Sequence, residues 1–590
     1  MKRARLALLT LAVLWANLLV AQRPSVAPAP TGPPVGAWQL PGRDYGLTRY
    51  SPLDQIAVDN IGQLRPVWTF STGAIRAHEG NPLVVGSTLF LHTPYPNTVF
   101  ALDLNRPGAP IKWRYTGPLP PAPRGSATSP PMPTGCCDVG SRGLAYHPSG
   151  KLFVPLLSGE LAALDAATGK EIWRVRNADW RSGATLAAAP LVIKDLVLVG
   201  ISGAESGVRG NLTAYDALSG RLVWRGWSTG PDADVLIDGP GNPAYPTHQS
   251  HDLGVSTWTG EGWRQGGGTT SGWLSYDPGL NLVYYGTDQP APANPAARAG
   301  DDKWTATIFA RDATTGKVRW AYQTTPHDEW GFSASNENIL VDIPVKGVQT
   351  KALVHFDRNG FAYTLDRSTG RVILAEKYGP ANWARAVDLL SGLPQTDPRF
   401  AAPGQSAAAT AGICPASIGT KFLQPAAFSP TSGFFYVPLN NLCMDLKVAP
   451  PASVAGQSTS SMTARFTPGP GGSSGRFIAW DAGAATIAWE IKEPLPVTGG
   501  ALATAGGLVF YGTMDGWLKA LDQKSGRELW KFKCPSGIVG NPIAFAGPDG
   551  KQYIAVLSGM GGWWGLGANG AFPDLGMITN PGGVLMVFGL

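Results

Sequence analysis

The sequence ALDAATGKEIW at residues 163–173 sets a small residue, an Asp, a Gly and a Trp at fixed spacing. The same spacing recurs in AYDALSGRLVW (214–224), ARDATTGKVRW (310–320) and ALDQKSGRELW (520–530). Degenerate copies are ALDLNRPGAPIKW (101–113), TLDRSTGRVIL (364–374) and AWDAGAATIAW (479–489). Trp68 ends a further copy whose beginning lies elsewhere, so the chain carries eight repeat ends.

Each copy predicts two strands joined by a hairpin turn. The Asp can accept hydrogen bonds from the turn backbone, the Gly supplies a positive φ, and the Trp lies on the returning strand. One such sheet cannot bury both of its faces, whereas a ring of stacked sheets can, with the Trp side chains docked between neighbours. We therefore expect an all-β, eight-bladed β-propeller with tryptophan-docking repeats, closed by pairing of GGVLMVFGL (582–590) with the N-terminal blade.

Composition agrees with an all-β protein. The 590 residues include 75 Gly and 52 Pro, about a fifth of the chain, and only 15% are charged. This balance disfavours long helices and excludes a coiled coil, while the 10% of aromatic residues excludes general disorder. The net charge of +6 is spread over the whole length, so we expect no nucleic-acid partner.

The chain begins with the pattern of an exported protein. Residues 1–21 join a cationic start, an apolar run and a small-residue cleavage site, which predicts a signal peptide. Residues 22–37 form a Pro-rich linker, and 38–590 are predicted to be one propeller domain. We expect a periplasmic or secreted protein that could contact a membrane only through an uncleaved signal anchor.

Two intervals between repeats are longer than one blade requires. They run from Asp216 to Asp312 and from Asp366 to Asp481, and both should contain functional insertions. The chain has five cysteines, so at least one thiol stays unpaired, and no Cys-x-x-Cys-His motif for covalent haem is present.

The repeats and several stretches between them resemble the quinoprotein alcohol dehydrogenases, the methanol/ethanol dehydrogenase family that uses pyrroloquinoline quinone (PQQ). The stretches are GRDYGLTRYSPLDQI (42–56), AHEGNPLVV (77–85), GCCDVGSRGLAY (135–146), SGAESGVRGNLTAYD (202–216), TPHDEW (325–330), DRNGFAYTLDR (357–367), NNLCMDL (440–446) and GMGGWWGLG (559–567). The resemblance implies that PQQ lies on the propeller axis between a vicinal disulfide and a Trp ring, beside Ca²⁺ or a lanthanide. It also implies that an Asp takes the proton of an alcohol as hydride leaves for PQQ, and that a separate c-type cytochrome accepts the electrons.

Carried over by position, the resemblance implies a set of site residues. The cofactor set is Glu79, Cys136, Cys137, Arg142, Ser202, Gly203, Ala204, Thr269 and Arg358, with Arg358 at the quinone oxygens. Glu205 matches the carboxylate ligand of the metal. Cys136–Cys137 matches the vicinal disulfide and Cys414–Cys443 a structural one, which leaves Cys534 unpaired.

The centre of this site departs from the family pattern. Gly331 stands where the family has its proton-accepting Asp, and Ser333 where lanthanide-using members add a second Asp. Gln289 replaces the Asn metal ligand, Asp288 a Gly, and Ser271 the Trp that stacks on PQQ. Three further contacts change, to Ala187, Phe422 and Thr498.

These departures leave several hypotheses open. In the first, Asp288 supplies the missing carboxylate, as base or as metal ligand beside Glu205 and Gln289, and the chain is a working PQQ-dependent alcohol dehydrogenase. In the second, the chain is a non-catalytic secreted propeller that serves as a binding module. A purely structural propeller is a third hypothesis, and a shift of register that brings Trp273 onto the cofactor remains open as well.

Overall fold

The chain folds into sheets that follow one another in sequence order. The structure, a computed structural model, describes residues 34–118, 133–135, 138–238, 251–404, 408–448, 462–566 and 572–590. Within these ranges, eight sheets have four or five strands each. The all-β prediction is confirmed, and the number of these sheets equals the number of repeat ends. Eight blades in one ring stays a prediction.

We number these sheets 1 to 8 in chain order. Sheet 1 contains Leu83–Val85, Thr88–His92, Thr98–Asp103 and Ile111–Thr116; sheet 2, Ala145–His147, Lys151–Leu156, Glu160–Asp165 and Glu171–Arg176; sheet 3, Leu191–Ile193, Leu196–Gly200, Asn211–Asp216 and Leu222–Trp227; sheet 4, Ser275–Asp277, Leu282–Gly286, Thr307–Asp312 and Val318–Gln323. Sheet 5 contains Asn338–Val345, Val348–Phe356, Phe361–Asp366 and Val372–Lys377; sheet 6, Ala427–Phe428, Phe435–Asn440, Gly475–Asp481 and Thr486–Glu493; sheet 7, Tyr50–Ser51, Ala501–Thr504, Leu508–Gly512, Trp517–Asp522 and Glu528–Lys533; sheet 8, Ile543–Ala546, Gln552–Ser558, Val584–Gly589 and Arg65–Ser71.

The remaining elements are short. Two small sheets contain Ala384–Val387 with Pro394–Thr396, and Thr410–Ile413 with Leu442–Val448 and Met462–Pro468. Helical segments are Ile61–Gln63, Trp180–Ser182, Ala204–Ser206, Asp232–Val235, Leu253–Ser256, Gly262–Gln265, Pro295–Ala297, Pro398–Phe400, Gly562–Leu566 and Leu575–Ile578. No helix among the described residues is both long and apolar enough to cross a membrane.

The inner strands are buried on both faces. Thr98–Asp103 and Lys151–Leu156 have all but one residue buried. A sheet with one face in water would bury only alternate residues, so these sheets are covered on both sides by neighbours. The outer strand Glu171–Arg176 alternates half-buried and exposed residues instead, as expected at the rim.

The repeat Trp side chains join consecutive sheets, as the sequence predicts. Trp224 in sheet 3 donates its indole N–H to the carbonyl of Ala313, 3.1 Å away, in the turn of the next repeat. Its ring lies against Gly316 of that turn, where a Cβ atom would come within 2.6 Å of the ring. The same contact pairs Trp113 with Gly169, Trp173 with Gly220, Trp320 with Gly370, and Trp489 with Gly526.

The two ends of the described chain close sheet 8. Arg65–Ser71 pairs antiparallel with Val584–Gly589, with Trp68 opposite Val587. Trp68 therefore completes a repeat that begins near the C-terminus, and the predicted pairing of the C-terminal segment with an N-terminal strand is confirmed. It also lies in the largest apolar cluster, which joins side chains of sheets 7, 8, 1 and 2.

The insertions and termini agree only in part with expectation. The interval between Asp366 and Asp481 contains both small sheets and the disulfide Cys414–Cys443, which is thereby confirmed. Residues 1–33, which include the predicted signal peptide and most of the linker, lie outside the described residues, as do Cys136 and Cys137. The signal peptide, the domain bounds and the vicinal disulfide stay predictions.

We predict that unfolding exposes one thiol per chain. Among the described cysteines Cys534 is free and buried, and burial raises the pKa of its thiol to about 12. Because the thiolate is the reactive form, a thiol reagent added without reductant should label no cysteine in the native protein. In guanidinium it should label Cys534 alone. Three labelled thiols in guanidinium would contradict the Cys136–Cys137 disulfide.

We also predict that Gly316→Ala lowers the melting temperature. The added methyl group meets the Trp224 ring at 2.6 Å, in a backbone with a φ of +76°. Overpacking of this kind costs about 1–3 kcal/mol in addition to the backbone strain. Gly550→Ala is the matched control, since Gly550 has a φ of +74° and nothing within 4 Å of a Cβ. Equal losses in the two variants would mean that the docking contact contributes nothing.

Candidate active site

Loops from several sheets meet at one cavity of about 330 Å³. Glu205, Asp288 and Arg358 lie in loops between the second and third strands of sheets 3, 4 and 5. Glu79 and Arg142 precede the first strands of sheets 1 and 2. In an antiparallel sheet, the segment that enters the first strand and the loop after the second lie at the same end. The topology therefore brings residues far apart in sequence to one place.

Most of the predicted site residues line this cavity. They are Glu79, Arg142, Ser202, Gly203, Ala204, Glu205, Asp288, Gln289 and Arg358. Thr269, the remaining described member of the cofactor set, is completely buried and does not line the cavity. Of the altered positions, Ala187, Ser271, Gly331 and Phe422 also line it, whereas Ser333 is buried beside it and Thr498 donates to the carbonyl of Ile538 elsewhere.

One side of the cavity is an ion pair. Arg142 Nη2 lies 3.1 Å from Glu79 Oε2, and Arg142 Nη1 donates to the carbonyl of Ser271 at 3.1 Å. Burial raises the pKa of Glu79, the charge of Arg142 opposes that rise, and Asp138 adds to it. Arg142 Nε has no partner among the described residues. This side of the cavity therefore offers an unused guanidinium donor.

Glu205 lies in the helical turn Ala204–Ser206 that follows strand Leu196–Gly200. The turn needs glycine at position 203, where φ is +124° and a Cβ atom would lie 2.3 Å from the carbonyl oxygen of Gly183. Burial raises the pKa of Glu205 to about 7, and the charge of Asp288 adds to the rise. Two carboxyl groups thus face the same part of the cavity, and Glu205 titrates near neutrality.

Hydroxyl groups on both sides fix the carboxylate of Asp288. Thr269 Oγ1 donates to Oδ2 at 2.5 Å, and Ser271 Oγ donates to Oδ1 at 3.0 Å. Asp288 is only 6% exposed. Thr269, which stays a predicted cofactor contact, thus orients Asp288. Ser271, which replaces the expected Trp, does the same.

Gln289, Ser333 and Arg358 form one hydrogen-bonded group, which we call the Ser333 network. Ser333 Oγ donates to Gln289 Oε1 at 2.5 Å and accepts from the Gln289 backbone N–H at 2.9 Å. It also accepts from Arg358 Nη1 at 3.2 Å. Arg358 Nη2 donates to the carbonyl of Ser417 at 3.0 Å, while Nε has no partner among the described residues. Burial lowers the pKa of Arg358, and Asp288 opposes that change.

The loop that carries Gly331 is folded around a buried carboxylate. Asp328 accepts from the backbone N–H groups of Trp330, Gly331 and Ser333, at 3.0, 2.9 and 3.2 Å. Gly331 has a φ of +79°, and a Cβ atom there would lie 3.7 Å from Met462 Cε, an ordinary contact. A Cβ atom would fit at position 331, so steric hindrance does not explain why Gly stands there in place of the proton-accepting Asp.

Aromatic surface comes from the altered position Phe422 and from Trp563, which the sequence analysis did not select. Phe422 and Trp563 line the cavity, and Arg358 lies over the Phe422 ring, 4.9 Å from its centroid. Trp273 is buried, donates its indole N–H to the carbonyl of Leu423 and does not line the cavity. Trp563 belongs to the stretch GMGGWWGLG quoted above, which was the available signal for it.

Asp138 is a second lining residue that the sequence analysis missed. It binds Arg76 Nε at 2.9 Å and accepts from the Gly562 backbone N–H at 2.8 Å. These bonds tie the segment after the two cysteines to the start of helix Gly562–Leu566. Its position directly after Cys137 was the only sequence feature that could have indicated that Asp138 lines the cavity.

Comparison with known proteins agrees with this arrangement. The chain matches the family described as "PQQ: Glucose/ethanol/alcohol dehydrogenase, beta-propeller domain" over residues 38–387 and 477–554. It is 48% identical over 576 residues to the lanthanide-dependent methanol dehydrogenase of Methylacidiphilum fumariolicum (strain SolV), covering 94% of this chain and 92% of that protein. It is 44% identical over 578 residues to methanol dehydrogenase (cytochrome c) subunit 1 of Paracoccus denitrificans, covering 94% and 90%.

A solved structure agrees as well. The structure of a europium-containing methanol dehydrogenase superposes with a TM-score of 0.89 at 48% identity, covering 94% of this chain and 98% of that one. The β-propeller class predicted from the repeats is thereby confirmed. Matches of this length and identity show that the chain belongs to the PQQ-dependent glucose/ethanol/alcohol dehydrogenase β-propeller family.

Proposed function

We propose that the chain is a periplasmic PQQ-dependent dehydrogenase that oxidises an alcohol or a related small substrate and passes the electrons to a separate c-type cytochrome. One observation carries the proposal. Nine of the predicted site residues line a single cavity, although they come from loops of five sheets. Family membership and the cytochrome in the name of the Paracoccus relative support the same function.

The donors around the cavity fit PQQ, an anionic planar quinone. Arg142 Nε, Arg358 Nε and Ser202 Oγ are buried and have no partner among the described residues. Guanidinium groups are planar, permanently charged donors that suit carboxylates and carbonyl oxygens. Arg142 would hold a carboxylate edge of PQQ and Arg358 its quinone oxygens. When bound, PQQ supplies the oxidant that takes hydride from the substrate carbon.

Asp288 is our choice for the group that takes the substrate's hydroxyl proton. Position 331 cannot do so, since Gly331 has no side chain. Asp288 lines the same cavity, and Thr269 and Ser271 fix the direction of its carboxylate. A positioned carboxylate is a common general base. Glu205 lies close enough for the charge of Asp288 to raise its pKa.

The first test is PQQ binding to the purified mature protein, followed by quinone absorbance. We expect saturable binding of one PQQ per chain and, with an artificial electron acceptor, oxidation of at least one primary alcohol. Failure to bind PQQ, with or without added Ca²⁺ or La³⁺, would overturn the proposal. The non-catalytic binding propeller would then be the better hypothesis.

The second test is the variant Asp288→Ala. Loss of a general base lowers kcat by a factor of about 10²–10⁴. We expect that loss together with retained PQQ binding, measured by acceptor-linked alcohol oxidation and by absorbance.

Two comparison variants separate chemistry from structure. Asp288→Asn keeps the shape and one acceptor oxygen, so a base role predicts that it is as slow as Asp288→Ala. Asp238→Ala removes an exposed carboxylate that pairs with Lys317 and does not line the cavity, so it should leave kcat unchanged. Full activity in Asp288→Ala would exclude Asp288 as the base.

A further inference from the structure

The altered positions of the cavity leave few ligands for a hard cation. Ca²⁺ binds six to eight oxygen atoms, with carboxylates prominent among them. The resemblance assigns metal ligands to Glu205 and to position 289, beside the proton-accepting Asp of position 331 and the second Asp that lanthanide-using members add at position 333. Here the last three are Gln289, Gly331 and Ser333, so Glu205 alone supplies a carboxylate. Among the described residues, no group of three His, Cys, Asp or Glu side chains is arranged to hold a metal ion.

The hydroxyl at position 333 is already saturated. A serine hydroxyl has one donor hydrogen and two acceptor lone pairs. Ser333 donates to Gln289 Oε1, accepts from the Gln289 N–H and accepts from Arg358 Nη1. The Gln289 amide oxygen, which matches the family's Asn ligand, accepts the Ser333 hydroxyl and has one lone pair left. Positions 289 and 333 thus bind each other, and position 331 has no side chain.

Asp288 replaces only one of the two missing carboxylates. Each of its oxygens already accepts one hydroxyl hydrogen bond, from Thr269 or from Ser271, and so has one lone pair left. A cation that bound Asp288 and Glu205 would share the cavity with the guanidinium of Arg358. The positive charge on this side of the cavity is already provided by a side chain.

We infer that this cavity binds its quinone without Ca²⁺ or a lanthanide, and that Arg358, held by Ser333 and the Ser417 carbonyl, supplies the positive charge there. The inference rests on the proposed function. Binding of the quinone without a metal ion would distinguish this chain from the relatives whose names include a lanthanide or europium.

The chain offers a matched variant that should regain the metal site. Gly331 and Ser333 have φ values of +79° and +59°, a region in which Asp is tolerated better than most residues. A Cβ atom at position 331 makes only ordinary contacts. Gly331→Asp with Ser333→Asp therefore adds two carboxylates and releases the Gln289 oxygen from the Ser333 hydroxyl.

The test uses two readouts that do not depend on activity. The first is Eu³⁺ luminescence, titrated into the purified full-length protein with and without PQQ. The second is PQQ affinity by absorbance, measured in EDTA and in excess Ca²⁺ or La³⁺. For the natural sequence we expect no saturable Eu³⁺ binding at micromolar concentration, and PQQ affinity that changes by less than about threefold. For the double variant we expect Eu³⁺ binding at one ion per chain, tighter by at least about tenfold.

Each alternative result has a distinct meaning. Saturable binding of one Eu³⁺ per chain to the natural sequence at micromolar concentration overturns the inference. So does PQQ binding that appears only when metal is present, and the proposed function then survives. Absence of PQQ binding under every condition overturns the proposed function, and the inference with it. If the double variant fails to fold, as judged by its melting transition, Gly331→Asp alone takes its place, and the measurements on the natural sequence decide the question by themselves.

Discussion

Among the described residues, the contact between a repeat Trp and the Gly of the following turn joins five pairs of neighbouring sheets, and the rest of the structure depends on it. The indole ring needs a flat, open place, and only a residue without a Cβ leaves one, as the 2.6 Å approach at Gly316 makes clear. The indole N–H then binds a carbonyl of the same turn, so that the contact fixes direction as well as distance. Because the same Trp–Gly contact recurs between neighbouring sheets, the sheets are held side by side. The loops at one end of the sheets therefore lie close together, and the cavity forms between those loops.

Four of the altered positions form two pairs that bind each other. Ser271 stands where a Trp is expected and donates to Asp288, which stands where a Gly is expected. Gln289 stands where an Asn metal ligand is expected and Ser333 where lanthanide-using members add an Asp, and the two form a hydrogen bond with each other. Buried polar groups are costly unless they are satisfied, so each of these four replacements is tolerated because its partner is present. Gly331 has no such partner among the described residues, and no structural feature there explains it.

The sequence predicted the scaffold well because the repeat encodes it locally. Spacing of Asp, Gly and Trp within eleven residues was enough to place the hairpins, and the lone Trp68 was enough to predict closure. The cavity was predicted only through family resemblance, which located thirteen of its lining residues. Resemblance could not show that Gln289 binds Ser333 or that Thr269 orients Asp288, since these contacts join separate loops. Nor did it choose Trp563 or Asp138, whose roles depend on how distant segments meet.

Pairing of Arg65–Ser71 with Val584–Gly589 has a consequence for folding. Strand Val584–Gly589 is the last of the described strands to leave the ribosome. Until it arrives, sheet 8 lacks a strand and exposes unpaired backbone groups, a surface on which chains aggregate. Contacts of such long sequence separation also form slowly. The nascent chain is therefore exposed to aggregation until its synthesis is complete, and a cleavage that removed only Val584–Gly589 would leave Arg65–Ser71 without its partner strand.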